Sequence, residues 1–472
     1  MVKKNNNVYL DTVIVGSGLS ALNFIDTYSK NKKKINVISP VDNIQIPSKK
    51  KIELGPLPPQ MQNKKRQVQN YFIANNLSNS KESKILGSLN FGGLSNYWGL
   101  QIDNYINLEK EDIKEKTKNE IRKAFFYLLK KYNLVGKFIY QKKIYSNQFT
   151  LPKPLLEILN DKNKKLKICQ PILAYGCKLI KKSLNSINEK NNKLTAANFL
   201  KKSKLKKKII FHNYYLDKIE KHGKKIKLIC RNNEKCKIFI VNKVILAAGT
   251  IATTRIIIDY LNIKKEVKVY HHPRLIVAYL SKKPINLNLK FTPSLLQIIG
   301  RFEKSSFSFD LRPGNKSIIN SITDISILFY PLKLLLNIIK KRIIFSNILL
   351  STKNSSVYLK KNKENFKIYT KDNIILKKLK KINKNIFSFL REKEFIFPFF
   401  KTHFPGIGSD FHYFGTIPFN INRKLSVNEN CQLRNNKGIY IVDSSVFNFR
   451  INKYPLGIVM ANARRIGKLL SK

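Results

Sequence analysis

The chain has 472 residues, of which 43% are hydrophobic; that is enough to bury a sizeable core, too long for one compact core, and incompatible with a disordered polymer. Lysine and arginine number 90 against 29 acidic residues, a formal net charge of +61. Lysine far outnumbers arginine and is scattered along the chain among asparagine and isoleucine, as a codon bias would leave it; this argues against specific nucleic-acid recognition, which prefers the arginine fork, while leaving an attraction to anionic membrane surfaces.

In chain order, the N-terminus carries no apolar segment followed by a cleavage site, so no signal peptide is expected. Residues 10–15 form a β-branched apolar run. Residues 19–28 place Leu19, Leu22 and Ile25 at helical spacing, and residues 35–38 form a second apolar run, so together they predict a βαβ unit. Residues 43–85 are polar and lysine-rich and predict an extended loop region. Residues 86–99 are glycine-rich. Helices are expected over 108–135 and 152–160, and short strands at 209–211, 226–229, 238–241 and 244–246. A helix is expected over 251–261. The apolar stretch 322–350 is broken by Pro331, Lys333 and Lys340–Arg342, which excludes a spanning helix and leaves a buried helix as the ordinary expectation, or an interfacial or lid helix. The chain ends in an amphipathic helix over 457–470. Five cysteines, an odd number without CxxC spacing, argue against a disulfide framework or a zinc site and for reduced thiols in a cytoplasmic setting; no metal site is expected.

The first turn of the βαβ unit reads Gly16-Ser17-Gly18-x-x-Ala21. Gly16 permits the tight turn, Gly18 lets a pyrophosphate approach the backbone, and Ala21 lets the helix pack close to the strand. The helix N-terminus then faces the phosphates with free N–H groups. The acid that ordinarily holds the ribose at the end of the second strand is missing: Asp42 comes late, and Ser39 is a weaker partner.

Three further segments, with this fingerprint, resemble the glucose-methanol-choline (GMC) oxidoreductase family over about a third of the chain. Gly87–Gly99, GSLNFGGLSNYWG, is similar to the family's Gly-Gly-x-Ser loop and is closest to its pyranose-oxidase-like branch. Residues 244–259, VILAAGTIATTRIIID, resemble the strand–AAGT–helix segment, followed by His271-His272-Pro273, where the family has an acid in place of His271. Residues 409–416, 438–447 and 454–464 resemble the C-terminal His-x-x-Gly-Thr, Gly-x-x-x-x-Asp-x-Ser and helix-start segments.

The resemblance implies an α/β fold: a Rossmann-type FAD-binding domain with an inserted substrate domain of sheet and helices. The FAD-binding parts would be 1–107, 196–275 and 405–472, the last also holding the active site, with an insertion at 108–195 and the substrate domain at 276–404. FAD would be held by Gly16, Ser17, Gly18, Ala21, Gly92, Gly93, Ser95, Asn96, Ala248, Gly249, Asp443 and Pro455. The link would be non-covalent, because Tyr97 stands where the branch has a histidine that can carry the flavin. His412 would be the base in oxidation of a CH–OH group of a sugar or alcohol. Tyr454 replaces the family's second His or Asn; a phenol is a hydrogen-bond donor and a poor base at neutral pH. Asn452, Lys453 and His403 are nearby alternatives. Two other readings stay open: a basic, non-redox nucleotide-binding protein at nucleic acid or an anionic membrane surface, and a GMC-fold lyase.

Overall fold

The computed structural model describes all residues except 1–6, 41–56, 58, 81–82, 103–105, 162–164, 234, 286, 288, 290, 303–304, 315–337, 372–373, 420–422, 451–453 and 472. Strand β1 (Val8–Val15) ends in Val13, Ile14 and Val15, at 0–3% exposure, the continuous apolar signature of a parallel strand covered on both faces. Beside it run β2 (Ile35–Ile38) and then β3 (Ile209–His212), both parallel. On the other side an antiparallel meander of β4 (Tyr215–His222), β5 (Lys225–Asn232) and β6 (Lys235–Leu246) completes the order β4-β5-β6-β1-β2-β3. The short strand Ile439–Ile441 pairs in parallel with Val244–Leu246, the last residues of β6. The sequence reading splits β6 in two because Asn242-Lys243 interrupts the apolar run. The strand runs unbroken there and only changes partner, from β5 up to Val241 to Ile439–Ile441 from Val244.

Six helices matter to the site or the core: α1 (Leu19–Tyr28), α2 (Lys65–Ala74), α3 (Glu115–Tyr132), α4 (Thr250–Tyr260), α5 (Ile375–Glu392) and α6 (Leu456–Leu470). With β1 and β2, α1 makes the expected Rossmann-type βαβ unit. α2 corrects the extended loop expected over 43–85: Val68, Tyr71 and Phe72 recur at helical spacing and are buried, a pattern hidden by the polar residues around them; residues 43–56 lie outside the described residues. α3 is shorter than the helix expected over 108–135. It stops at Asn133, whose left-handed φ of 48° ends the helix, and Leu134–Tyr140 continues as a strand.

A second sheet is antiparallel throughout. It is built from β7 (Arg274–Ser281), β8 (Leu296–Phe302), β9 (Ser305–Pro313), β10 (Ile343–Leu350) and β11 (Ile396–His403), in the order β11-β7-β10-β9-β8, with Leu166–Cys169 at the far edge. β10 corrects the helix expected over 322–350 where that stretch is described. Ile343–Leu350 is short and rich in β-branched residues, and two strands, β7 and β9, take up its backbone groups. Residues 338–342 keep a short helical turn, and 322–337 lie outside the described residues. α5 packs its apolar face on this sheet, and Tyr279 Oη donates to Asn383 Oδ1 at 2.6 Å. Among the described residues no helix is long and apolar enough to cross a membrane.

The chain's two ends meet where α6 crosses α1. Thr27 Oγ1 donates to Arg464 O at 2.9 Å, and the Arg464 guanidinium pairs with Asp26. Gly467 makes the crossing close: a Cβ there would stand 2.3 Å from both Phe24 O and Thr27 Oγ1. Gly467→Ala is therefore expected to push the helices apart and to lower unfolding stability by roughly 1–3 kcal/mol, even though alanine is the better helix former. Urea unfolding of the two proteins measures it.

Candidate functional site

The carboxyl ends of the parallel strands bring the glycine-rich turns together. Ala247 N donates to Val15 O at 2.9 Å, which sets Gly16 against the start of the Ala247-Ala248-Gly249 turn. Gly16 has φ +110°, and a Cβ on it would lie 2.3 Å from Ala247 O, so both conformation and space demand glycine. Ser17 ties this turn to the second glycine segment. Its Oγ accepts from Gly92 N at 2.9 Å and from Ser39 Oγ at 2.8 Å. Gly92 and Gly93 both have positive φ. Ser95 Oγ donates to Gly92 O and Asn96 Nδ2 to Phe91 O, both at 2.6 Å, so these two side chains brace their own loop.

Asp443 holds the third turn. Its carboxylate accepts from Gly249 N (3.1 Å), Thr253 Oγ1 (2.5 Å), Ser445 N (3.1 Å) and Ser445 Oγ. Burial pushes this carboxyl up against the pull of those donors. With its oxygens so engaged, Asp443 positions the N-terminus of α4.

At the other end of the same cavity stand His412 and Tyr454, ring centroids 5.0 Å apart and nearly perpendicular. His272 lies behind His412 at 5.8 Å. Burial pushes His412 down to about 4; Asp410, whose Oδ2 is 3.9 Å from His412 Nδ1, pulls the other way, and the Arg274 charge adds to the fall. Burial likewise takes His272 down to about 3. Both imidazoles are thus neutral at pH 7, and the Nδ1 of each is buried without a protein partner among the described residues. Asp410 receives His271 Nδ1 at 3.1 Å and the His272 N–H at 2.9 Å. Burial alone would raise its carboxyl, but His271 and the other imidazoles hold it at about 2. The acid missing at position 271 is therefore supplied next to it by position 410.

The second sheet forms a wall. Register sets Arg274 opposite Leu349 and Asp310 opposite Asn347, and Arg312 follows two residues on along the same strand face. Arg312 Nε donates to Asp310 Oδ2 at 2.6 Å, and its Nη1 to Thr292 O at 3.1 Å. Tyr454 hydrogen-bonds with this Arg312–Asp310 pair, and burial pushes its phenol well above the ordinary value, so it stays protonated. Arg274 Nη2 donates to Ser409 O at 2.7 Å.

One cavity of about 490 Å³ is lined by Gly16, Ser17, Gly18, Gly92, Gly93, Ser95, Asn96, Ala248, Gly249, Asp443, His412, Tyr454 and Pro455, so most of the sequence-derived candidates converge. Ala21 does not reach it and is buried in the core one turn along α1. His403, at the end of β11, does not line it either. Asp42, Asn452 and Lys453 lie outside the described residues. Ser39 lines the cavity and donates its hydroxyl to Ser17 Oγ. Sequence reasoning missed Arg274, Arg312, Asn347 and Asp410, all of which line it. Asp410, two residues before His412, was within reach of that reading, whereas the arginines belong to strands that become neighbours only through sheet pairing.

No family model matches the chain, and no curated protein matches it in sequence. Among solved structures it is similar to the crystal structure of pyridoxine 4-oxidase from Mesorbium loti, with a TM-score of 0.58 and 11% identity over 97% of this chain and 98% of that one. At that identity the likeness bears on the fold: it supports a GMC-like fold and lends nothing to the pyranose-oxidase-like branch.

The depressed histidines have a pH consequence. The unfolded chain takes up their protons near pH 6.5 and the folded chain only near 4 and 3, so the stability these groups contribute is complete above about 6.5 and drains away as pH falls below it. On the order of 2–3 kcal/mol per imidazole is expected to be lost by about pH 4.5. Urea unfolding across this range should show a flatter slope in a His272→Gln, His412→Gln double variant.

Proposed function

We propose that this chain is an FAD-dependent oxidoreductase acting on a CH–OH group of a sugar or other small alcohol, with the flavin bound non-covalently. The observation that carries the reading is convergence: three glycine turns far apart in sequence, together with His412 and Tyr454, line a single cavity. The residues fit the cofactor. α1 begins at Gly18 with no side-chain cap, leaving its first N–H groups for an outside acceptor such as a diphosphate. Gly249 faces open space, since a Cβ there would meet nothing within 4 Å. Gly16, Ser17, Gly18, Gly92, Gly93, Ala248 and Gly249 would hold the dinucleotide, with Asp443 setting the Gly249 turn and Pro455 starting α6. Tyr97 lines the cavity without offering an imidazole for a covalent link. That pyridoxine 4-oxidase, by its name an oxidase of a small molecule, shares the fold agrees with this reading.

When bound, the flavin supplies a hydride acceptor. The chain must then remove the hydroxyl proton. His412 is neutral and lines the cavity, so it can take that proton, and the resulting cation would stand near the ionised Asp410. Tyr454, protonated and held by Arg312 and Asp310, would line the cavity beside the substrate oxygen.

Purified protein is expected to be yellow, and an alcohol or sugar from a broad panel should bleach it without oxygen. His412→Ala should keep the flavin and slow its reduction by about 10²- to 10⁴-fold. The acid limb of the wild-type reduction rate should lie near 4, where His412 titrates, and not near 6.5. A colourless protein unable to take up FAD would end this reading. A yellow protein reduced at wild-type speed after His412→Ala would end only the base assignment.

A further inference from the structure

The two arginines on the cavity wall are not equivalent. Arg312 is satisfied: Asp310 neutralises it, and Thr292 O and Gly99 O take further N–H groups. Arg274 sits two strands across the sheet, with β10 between, and no carboxylate lies within ion-pairing distance of it among the described residues. Among the described residues one acceptor, Ser409 O, takes one of its five N–H donors, and Nε is buried without a hydrogen-bond partner. Asp410, the nearby acid, has its oxygens turned to His271 and His272. The Phe411 ring lies 5.8 Å from the guanidinium carbon; Phe411 itself is held at φ +62°. A guanidinium kept partly dry on a cavity wall, without a counter-ion in contact, has donors available for one.

We propose that Arg274 receives an anionic group, carboxylate or phosphate, carried by the substrate. The substrate class becomes a hydroxy acid or the phosphate ester of an alcohol. This deepens the oxidoreductase reading and rests on its assignment of the cavity. The lysine excess of the chain does not supply this preference: among the described residues no lysine is buried, so the lysine charge described lies at the surface, where salt screens it. Arg274 is part-buried on the cavity wall, and its attraction persists in salt.

The test uses the purified protein with whatever flavin it carries and follows calorimetric titration with benzoate, its neutral near-isostere benzamide, and phenyl phosphate. Benzoate or phenyl phosphate is expected to bind at least about 10-fold more tightly than benzamide, with the preference surviving from about 0.05 M to about 0.5 M NaCl. Arg274→Gln should cut anion affinity by about 10- to 100-fold and leave benzamide within about twofold, while Arg274→Lys should keep part of the preference. Tighter binding of phenyl phosphate would assign a phosphate ester, and tighter binding of benzoate a carboxylate. Equal binding of benzoate and benzamide, a preference abolished by salt, or one unchanged in Arg274→Gln would overturn the inference. The visible spectrum reads the flavin separately: a colourless wild type that still binds anions through Arg274 sinks the cofactor reading alone, and loss of flavin from Arg274→Gln with its anion preference retained sinks this one alone.

Discussion

The close approach of two backbones, at Gly16 and at Ala247, is the constraint on which the rest of the site depends. β1 and β6 run in parallel register through Val15 and Leu246, so the turns that follow them leave the sheet at the same place. A Cβ at Gly16 would overlap the Ala247 carbonyl, and the fold meets this by putting glycine on one side and a small residue on the other. Everything else gathers around that seam. Ser17 reaches across to Gly92, and Asp443, at the end of the strand Ile439–Ile441, reaches back to Gly249. Strands that begin at residues 8, 235 and 439 therefore deliver their turns to one point, and the chain's two ends are locked there by the α1–α6 crossing.

Acids are scarce in this chain, and their placement is telling for that reason. Glu111, Asp310, Asp410 and Asp443 are each at most 5% exposed; Asp410 and Asp443 line the cavity, and Asp310 bonds the lining residues Arg312 and Asn347. Each spends its charge on a defined partner: Asp310 on Arg312 and the Asn347 N–H, Asp410 on two histidines, Asp443 on the α4 turn, and Glu111 on the Asn448 and Phe449 N–H groups. Burial pushes Glu111 up to about 7 in spite of those two donors, so it is the group in this set closest to changing charge near neutrality. Phe449, which it holds at φ +38°, presents its carbonyl to His272 Nε2 at 3.3 Å. The interior is an acid-and-imidazole network, chemically separate from the lysine-rich exterior.

That separation explains how much the sequence disclosed. The Rossmann-type α/β fold was legible because its signals are local: an apolar run, a glycine turn and a helix with period 3.6, met in order within thirty residues. Polar interruptions and ambiguous apolar runs obscured the rest. Arg66, Gln67, Gln69 and Asn70 diluted α2, and a Lys-bearing break made one strand, β6, read as two. β10 was misread because a run of isoleucine and leucine fits a buried helix as well as a strand, and only the pairing with β7 and β9 decides. The glycine turns, His412 and Tyr454 could be singled out by position in the chain. Their meeting in one cavity could not, and neither could the Arg274–Leu349 and Asp310–Asn347 register that puts two guanidiniums on its wall.

The exchange at positions 271 and 410 shows why motif matching and physical reading part company. A histidine where the resemblance implies an acid looks, along the sequence, like the loss of a functional group. In the fold the carboxylate is still present, delivered from the segment that also carries His412, and it takes the His272 N–H and the His271 ring together. The fold sets a buried negative charge beside neutral imidazoles, and a backbone that runs past the same point twice can supply that charge from either pass. The same argument applies to Tyr454: it is held by Arg312 and Asp310, residues on the other sheet, so its place follows from what holds it there and not from what another chain has at that position.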